Sequence, residues 1–443
     1  MHYLDEASLK DVRDELNRHR KSGSYESGKW SVSHFNREPK AFAVAPPENV
    51  TIRDITLRTF EQVVGAGFNE NEYLALGKAL GEANIPALQI DVRRDGKGKE
   101  PEDLKKLVKL LKGINPDVNL SIATWNRRDL EFAAELGVDM VQFTQTVMPK
   151  TIRGFLYGAA WEGAAWKTIK VPETPEEQTQ RSLKLIEMAH QIPIKISIGL
   201  NQCGYLTEDY IHKVVPQIAE AGVDEIFLAD STHGLGPDGW RYVCSIVRDV
   251  APSCAIAVHA HNDFGLGTAS SIAAALGGAN TIEVSINGLG GPGVGQAHLA
   301  DVVASLEVLY GIHTGIRLEQ LTPLSRLAAD ISRLPIPKDR PITGEHAWLM
   351  GGLDEQLWEY EIDPLFGVPV NPEIFGNKLL LRGHVGCASG NWSMFFKLQE
   401  MGVQVEKDKI PGILAAVKQE IRLRKRSLSD EEILSLVHQR LPV

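Results

Sequence analysis

The chain has 443 residues, a formal net charge of −10 at pH 7 and a pI near 5.8, and this acidic balance gives no support to nucleic-acid binding. Hydrophobic residues make up 43% and charged residues 23% of the chain, which is typical of a globular protein with one large domain and a smaller one. The four cysteines are widely spaced and no apolar run is long enough to span a bilayer. We therefore expect a cytoplasmic protein with neither a disulfide framework nor a membrane partner.

The first 47 residues are polar, with apolar residues at helical spacing between Leu4 and Arg20. From Val50 onward, short β-prone runs alternate with amphipathic helical patterns through eight rounds. The predicted strands are residues 50–55, 87–91, 118–124, 139–144, 194–199, 225–228, 255–259 and 281–286. The predicted helices are residues 70–84, 101–112, 127–136, 175–190, 207–221, 239–250, 266–278 and 296–310.

Eight βα units of this length predict a (β/α)8 TIM barrel, for which ~250 residues is typical. A doubly wound open sheet is the alternative, and eight equal rounds favour it less. A long loop at residues 145–173 contains Trp161 and Trp166, and it is either a lid or partner contact or a packing insertion.

The alternation stops near residue 317, and a Pro-rich stretch at 333–341 leads to further helical patterns at 391–401, 410–423 and 430–440. We therefore predict three parts: an N-terminal extension at 1–47, a TIM-barrel catalytic domain at 48–316, and a smaller, mostly helical C-terminal domain at 317–443.

The strongest functional signal follows predicted strand seven, where His259 and His261 are two residues apart and Asp263 begins the next loop. Because side chains alternate along a strand, the two imidazoles are expected on the same side, and this pattern favours a metal site. A buried pair of hydrogen-bonded histidines is the alternative.

Polar residues also follow the other predicted strands, and catalytic groups of a TIM barrel lie at the carboxyl ends of its strands. Asp54 and Arg58 follow strand one, and Arg58 could stabilise an enolate or a carboxylate. Gln89 and Asp91 share one face of strand two. Further candidates at later strands are Thr144, Asn201, His233, Asn287, Gly288 and Gly290. The glycine-rich segment after strand eight could let backbone N–H groups approach an anion.

Three motifs together resemble the DRE-TIM metallolyase superfamily, which includes 2-isopropylmalate synthase, homocitrate synthase and HMG-CoA lyase. They are Asp54-Ile-Thr-Leu-Arg58-x-x-Glu61-Gln62, His259-x-His261-Asn262-Asp263-x-Gly265-Leu266 and Asn287-Gly288-x-Gly290. The segments at 341–347 and 376–386 resemble the C-terminal subdomains of the synthases.

The resemblance implies an acyl-CoA-dependent synthase that condenses an acetyl-CoA-like thioester with a 2-oxo acid, with Mn, Mg or Zn as cofactor and a homodimer as the assembly. It implies His259 and His261 as metal ligands; the oxygen ligand could come from Asp54, from Asp91 or from the substrate's own carboxylate. Arg58, Glu61 and His233 are the catalytic candidates, with His233 a hypothetical acid/base outside the family pattern and a structural histidine as its alternative. Substrate-binding candidates are Gln62, Gln89, Thr144, Asn201, Asn287, Gly288 and Gly290.

The chain departs from the family pattern at several places, and the loop cysteine of the lyases has no counterpart in Gly290-Gly291-Pro292. Thr59 stands where the family has a carboxylate that ligates the metal, Asn201 replaces a glutamate of the synthases, and Leu353 lies near the position of their second-domain histidine. Three functions therefore stay open: a condensing synthase, a lyase or aldolase that runs the same bond change backwards, and a repurposed barrel without the family activity.

Overall fold

The structure is a computed structural model, and it describes residues 6–21, 23–42, 44–90, 101–124, 128–147, 174–291, 294–349, 354–378 and 385–440. The chain divides into two compact units. The barrel unit is Glu38–Pro335, and the second unit combines Met1–Arg37 with Ile336–Val443. The three-part division predicted from the sequence remains a prediction, because compactness alone does not define where a catalytic domain ends.

Eight parallel strands close into a barrel in chain order, with the last strand paired to the first. We number them one to eight: Thr51–Asp54, Ala87–Ile90, Asn119–Thr124, Met140–Thr146, Lys195–Asn201, Glu225–Ala229, Ala255–His259 and Thr281–Val284. Strand eight pairs with strand one in the register Thr281 to Thr51 and Val284 to Asp54. The predicted TIM barrel, with a helical C-terminal region after it, is confirmed.

Helices alternate with these strands, as predicted. Those of the barrel unit are Thr56–Thr59, Glu70–Glu82, Pro101–Ile114, Arg128–Leu136, Pro175–Ala189, Glu208–Glu220, Pro237–Val250, Gly267–Leu276, Leu299–Ala304 and Leu321–Ser332. Capping boxes stabilise the N-termini of two of these helices. Asn69 and Glu72 form one, and Thr174 and Glu177 form the other, in which Pro175 is the first helical residue. The helix predicted at 296–310 begins later, at Leu299, and continues as the π-helical turn Ser305–Tyr310.

The two faces of the strands differ in chemistry. One face carries buried apolar residues that pack towards the helices: Ile52, Leu88, Ile122, Val141, Ile196, Ile226, Ile256 and Ile282. The other face carries buried polar residues: Arg53, Gln89, Ser121, Gln142, Ser197, Glu225 and Glu283. Arg53 reaches Glu225 although strands one and six are not neighbours, so these side chains meet inside the barrel. The interior is therefore polar, whereas bulky branched residues dominate most TIM barrels.

The second unit joins the N-terminal helix to the C-terminal region. Its elements are the helices Glu6–His19, Asp354–Ile362, Pro364–Gly367, Asn391–Glu400, Ile410–Arg424 and Asp430–Arg440, and the short strands Tyr25–Glu26 and Trp30–Ser31. Arg20 forms an ion pair with Asp363 at 2.9 Å. Met394, Val417 and Val437 belong to its apolar core. Within the described ranges, no helix has both the length and the apolar character needed to cross a membrane.

Candidate active site

Strand seven brings two histidines to the carboxyl-terminal mouth of the barrel. His259 is the last residue of the strand, and His261 forms an isolated backbone bridge with Gln296. The Asn262 side chain accepts the N–H of Gly267 at 2.9 Å and so begins the next helix. The loop that carries His261 is therefore held at both ends.

The predicted metal-binding pair is brought together. The Nε2 atoms of His259 and His261 lie 3.2 Å apart, and the ring planes meet at 75°. Two nitrogens that each lie about 2.0–2.1 Å from one tetrahedral Zn²⁺ are separated by roughly 3.3 Å. This spacing fits two imidazoles that share a cation, and it also fits an N–H···N hydrogen bond.

The electrostatics of His261 suit a metal ligand. Burial, followed by the charges of His259, His233 and Arg58, lowers the pKa of His261 to about 2. The ring is therefore neutral at ordinary pH, which is the form that binds metal ions.

A buried carboxylate lies behind the histidine pair. The His259 Nδ1–H donates to Glu283 Oε2 at 2.9 Å, which leaves Nε2 to face His261. Metal-binding histidines commonly donate their second N–H to a carboxylate in this way. Burial alone would raise the pKa of Glu283, but the hydrogen bond and charge of His259, with the charges of Arg53 and Arg58, lower it. Glu283 was not among the residues predicted from the sequence, although it is a charged residue between the apolar Ile282 and Val284.

His233 and Asp263 form a second group beside the pair. His233 Nδ1 lies 2.8 Å from Asp263 Oδ2, and its ring stacks on His261 with the centroids 3.9 Å apart. His233 has a φ of +59°, held by the turn in which its N–H donates to the Asp230 carbonyl at 3.1 Å. A non-glycine residue in this conformation is uncommon and concentrates at functional sites. Ligand atoms of His233, His261 and Asp263 lie within 4.8 Å of one another, so this trio is an alternative cation position.

Strand one contributes a cation and a structural carboxylate. The two oxygens of Asp54 accept bonds from the N–H and the hydroxyl of Thr56, at 2.9 and 3.0 Å. Burial, which outweighs these bonds, raises the pKa of Asp54 to about 7. Asp54 therefore shapes the turn that presents Arg58, whose charge acts on both His261 and Glu283.

Thr59, the residue after Arg58, has a structural role. Its hydroxyl lies 3.1 Å from the Ile55 carbonyl and 3.0 Å from the Leu289 carbonyl, and it is 1% exposed. It therefore ties the turn after strand one to the loop after strand eight.

Strands two and four place amides inside the barrel. Gln89 Nε2 donates to Gln142 Oε1 at 3.1 Å. Among the described residues, Gln89 Oε1, Gln142 Nε2 and Thr144 Oγ1 are buried without a hydrogen-bond partner. Buried polar atoms of this kind call for an explanation, and a bound polar molecule is one. Gln142 was not among the predicted substrate-binding residues, whereas Gln89 and Thr144 were.

The residues after strand eight pack on their own unit. Asn287 Nδ2 donates to the Ser325 carbonyl at 2.8 Å, and its Oδ1 accepts from the Ser325 hydroxyl. A Cβ at Gly288 would lie 2.7 Å from the His298 ring, and one at Gly290 would lie 2.0 Å from Gln296 Oε1. These glycines are thus required by close packing, and the N–H of Gly288 already donates to Ser285 at 3.1 Å.

The other predicted residues have contacts of their own or lie outside the described residues. Glu61 is exposed and accepts the N–H of Phe68 at 3.2 Å, and Gln62 is also exposed. Asn201 ends strand five, where its carbonyl accepts the N–H of Val147 at 3.1 Å. Asp91, Leu353 and both tryptophans of the long loop fall outside the described residues.

The protein is a TIM barrel, because its parallel strands close into a barrel. The two histidines and the guanidinium lie at the carboxyl-terminal mouth, where the active sites of TIM-barrel enzymes lie. The family model described as HMGL-like matches residues 49–328, which is more than half of the chain. The chain belongs to the HMGL-like family, and the resemblance to DRE-TIM metallolyases is confirmed.

Sequence similarity to other proteins extends beyond the barrel. The chain is 28% identical to (R)-citramalate synthase CimA of Methanocaldococcus jannaschii over 88% of its own length and 74% of that protein. It is 27% identical to homocitrate synthase AksA of the same organism, over 88% of this chain and 91% of that protein. The crystal structure of Bacillus subtilis HMG-CoA lyase superposes with a TM-score of 0.55 at 20% identity, covering 66% of this chain and 97% of the lyase. This last likeness shows the fold alone.

Proposed function

We propose that the protein is an acyl-CoA-dependent synthase that condenses an acetyl-CoA-like thioester with a 2-oxo acid. The observation that carries the proposal is the His259–His261 pair, with Nε2 atoms 3.2 Å apart and Glu283 bonded behind His259. We propose these two histidines as the ligands of a divalent cation, Mn, Mg or Zn. Asp54 is a weaker candidate, because Thr56 engages both of its oxygens.

A divalent cation at this position would polarise the carbonyl of the 2-oxo acid as a Lewis acid. Arg58 places a fixed positive charge beside the pair, where it stabilises the negative charge that develops on the enolate and on the carbonyl oxygen under attack. Because guanidinium stays charged throughout the working pH range, this stabilisation does not depend on pH.

His233 is proposed as the acid/base. Asp263 accepts from Nδ1 at 2.8 Å, which fixes the tautomer and leaves Nε2 to take the proton from the carbon beside the thioester carbonyl. The carbanion then bonds to the ketone carbon of the 2-oxo acid as the C–O π bond opens, and the resulting alkoxide takes a proton to become a hydroxyl. Water then cleaves the thioester to give a carboxylic acid and the free coenzyme A thiol. The side chains of His233 and Asp263 are 18% and 33% exposed, so a substrate at the mouth can reach them.

We propose that Gln89, Gln142 and Thr144 contact the 2-oxo acid. Their buried polar atoms without partners offer two acceptors and two donors, since a hydroxyl can act as either. A polar substrate would satisfy them, whereas a purely apolar one would leave them unpaired at a cost of ~1–3 kcal/mol each.

The length of the similarity favours a synthase over a lyase. The named synthases align with 88% of this chain. The lyase structure covers only 66% of this chain, although 97% of the lyase takes part in the superposition. The lyase-like Gly-Leu-Gly-Gly-Pro sequence after strand eight favours the reverse reaction as the second candidate.

The test is thiol release from acetyl-CoA with a panel of 2-oxo acids of different length and charge, in the presence of Mn²⁺, Mg²⁺ or Zn²⁺. Metal-dependent thiol release that needs the 2-oxo acid supports the synthase. Cleavage of a 3-hydroxyacyl-CoA without condensation contradicts it and supports the lyase. Bound metal with neither reaction contradicts both and favours a repurposed barrel.

A further inference from the structure

We infer that Glu283 is a positioning residue for the cation site, and that it supplies through His259 the negative charge that Thr59 does not supply directly. The inference rests on the proposed function, because it assumes a cation at His259 and His261. Glu283 would supply this negative charge without binding the cation itself.

The contact between Glu283 and His259 fixes what the imidazole can do. Oε2 lies 2.9 Å from Nδ1, so the ring proton is held on that nitrogen and the lone pair is on Nε2. That lone pair faces His261 Nε2 at 3.2 Å. A carboxylate in this position also makes the imidazole a stronger base and hence a better metal ligand.

Glu283 is held as a carboxylate by a chain of buried contacts across the barrel. Arg53 Nη1 donates to Glu283 at 3.3 Å, and the same guanidinium binds Glu225 at 2.6 Å. Ser197 donates to Glu225 at 2.8 Å. The chain crosses from strand eight through strands one and six to strand five, and Glu283 is 0% exposed.

The charges in this chain do not cancel. Two carboxylates face one guanidinium, and one of them, Glu283, is also bonded to His259. An uncompensated buried charge is costly, and a cation at the histidine pair would offset it. The negative charge is therefore on Glu283, which contacts the proposed ligand His259.

The polar groups of strand one and of the turn after it are engaged in other contacts. Thr59 is neutral, and its hydroxyl is engaged by the carbonyls of Ile55 and Leu289 at 3.1 and 3.0 Å. Asp54 is bonded by Thr56 through both oxygens. Among the described residues, Glu283 is the carboxylate in direct contact with the histidine pair on its inner side.

Two matched substitutions test the inference, Glu283→Gln and Glu225→Gln. Both remove a buried carboxylate bonded to Arg53, but only the first removes one bonded to His259. Titration calorimetry with Mn²⁺ and Zn²⁺ on the full-length protein is expected to show ~10–100-fold weaker binding for Glu283→Gln, as is usual for a lost partner of a metal-binding histidine. Glu225→Gln is expected to weaken binding by a clearly smaller factor.

The outcomes separate this inference from the proposed function. Equal affinities for Glu283→Gln and wild type, or equal losses for the two variants, would overturn it while thiol release by the wild type leaves the function intact. A wild type that binds neither cation overturns both. If Glu283→Gln does not fold, Glu283→Asp decides by the same criterion, because it keeps the charge and the partner Arg53 but shortens the reach to His259.

Discussion

The two sides of the barrel mouth have diverged differently. Around strands seven and eight, the family's histidines are kept, and each has a carboxylate nearby: Glu283 behind His259, and Asp263 beside the His233 ring that stacks on His261. Around strand one, Arg58 contributes a guanidinium and the next residue, Thr59, is neutral.

The difference lies in what the polar groups on each side of the mouth contact. On the strand-one side, polar groups are used to bind backbone, as when Thr59 bonds the carbonyl of Leu289 at 3.0 Å. On the strand-seven side, carboxylates bind imidazoles. Structural and chemical tasks are thus divided between the two sides, and substitutions on each side should have different effects.

The largest effect is expected for His261→Ala. It removes a proposed direct ligand, so we expect cation affinity to fall by more than the ~10–100-fold typical of an indirect partner, and thiol release to be lost. Calorimetry and the thiol assay measure both. His313→Ala is the control, because that histidine belongs to the same unit and its side chain is 74% exposed. Cation binding retained by His261→Ala would remove the pair as the site.

A smaller loss is expected for His233→Gln. If His233 moves the proton, kcat should fall by about 10²–10⁴-fold while cation affinity stays at the wild-type value. Asp263→Asn should have the same direction of effect and a smaller size. Should His233→Gln instead lose the cation, the trio of His233, His261 and Asp263 would be the metal site and the acid/base role would be wrong.

Thr59→Val tests the strand-one side. The substitution keeps the shape of the side chain but leaves the buried Leu289 carbonyl without this donor, so the free energy of unfolding should fall by about 1–3 kcal/mol. Cation affinity should not change. Denaturant unfolding measures the first and calorimetry the second, and a large change in affinity would contradict a purely structural role.

The smallest effect concerns pH. His261 has its pKa lowered to about 2 in the folded protein, against ~6.5 for an unperturbed histidine. Between these values the unfolded chain binds a proton that the folded chain rejects, so His261 contributes stability above pH ~6.5 that is lost as the pH falls towards 2. His261→Gln should therefore show a shallower fall in unfolding free energy than wild type between pH 7 and 5, both without metal. Parallel curves would contradict the burial of a neutral ring.

Sequence patterns were sufficient for the barrel because each strand is a short apolar run with one face buried against helices. Ile52, Leu88 and Ile226 have the same environment in different strands, so local composition carries the information. The two-residue spacing of His259 and His261 was enough to predict that the rings meet, since alternation along a strand puts them on one side.

The interior charge network was not predicted, although a signal existed. Arg53, Gln89 and Glu283 each lie next to apolar residues within their strands, and Glu225 begins strand six; each taken alone resembles a solvent-facing position. Only comparison of all eight strands would have shown that the polar residues share the interior face.

The sequence by itself determined the number and order of the strands and the residues at their ends, because these depend on the periodicity of neighbouring side chains. Tertiary structure alone decided which partner each end residue has. Asn287 binds Ser325, which is 38 residues away, and His259 binds Glu283 from the neighbouring strand. Barrel closure joins the last strand to the first, and a one-dimensional pattern does not encode which buried side chains then come within hydrogen-bonding distance.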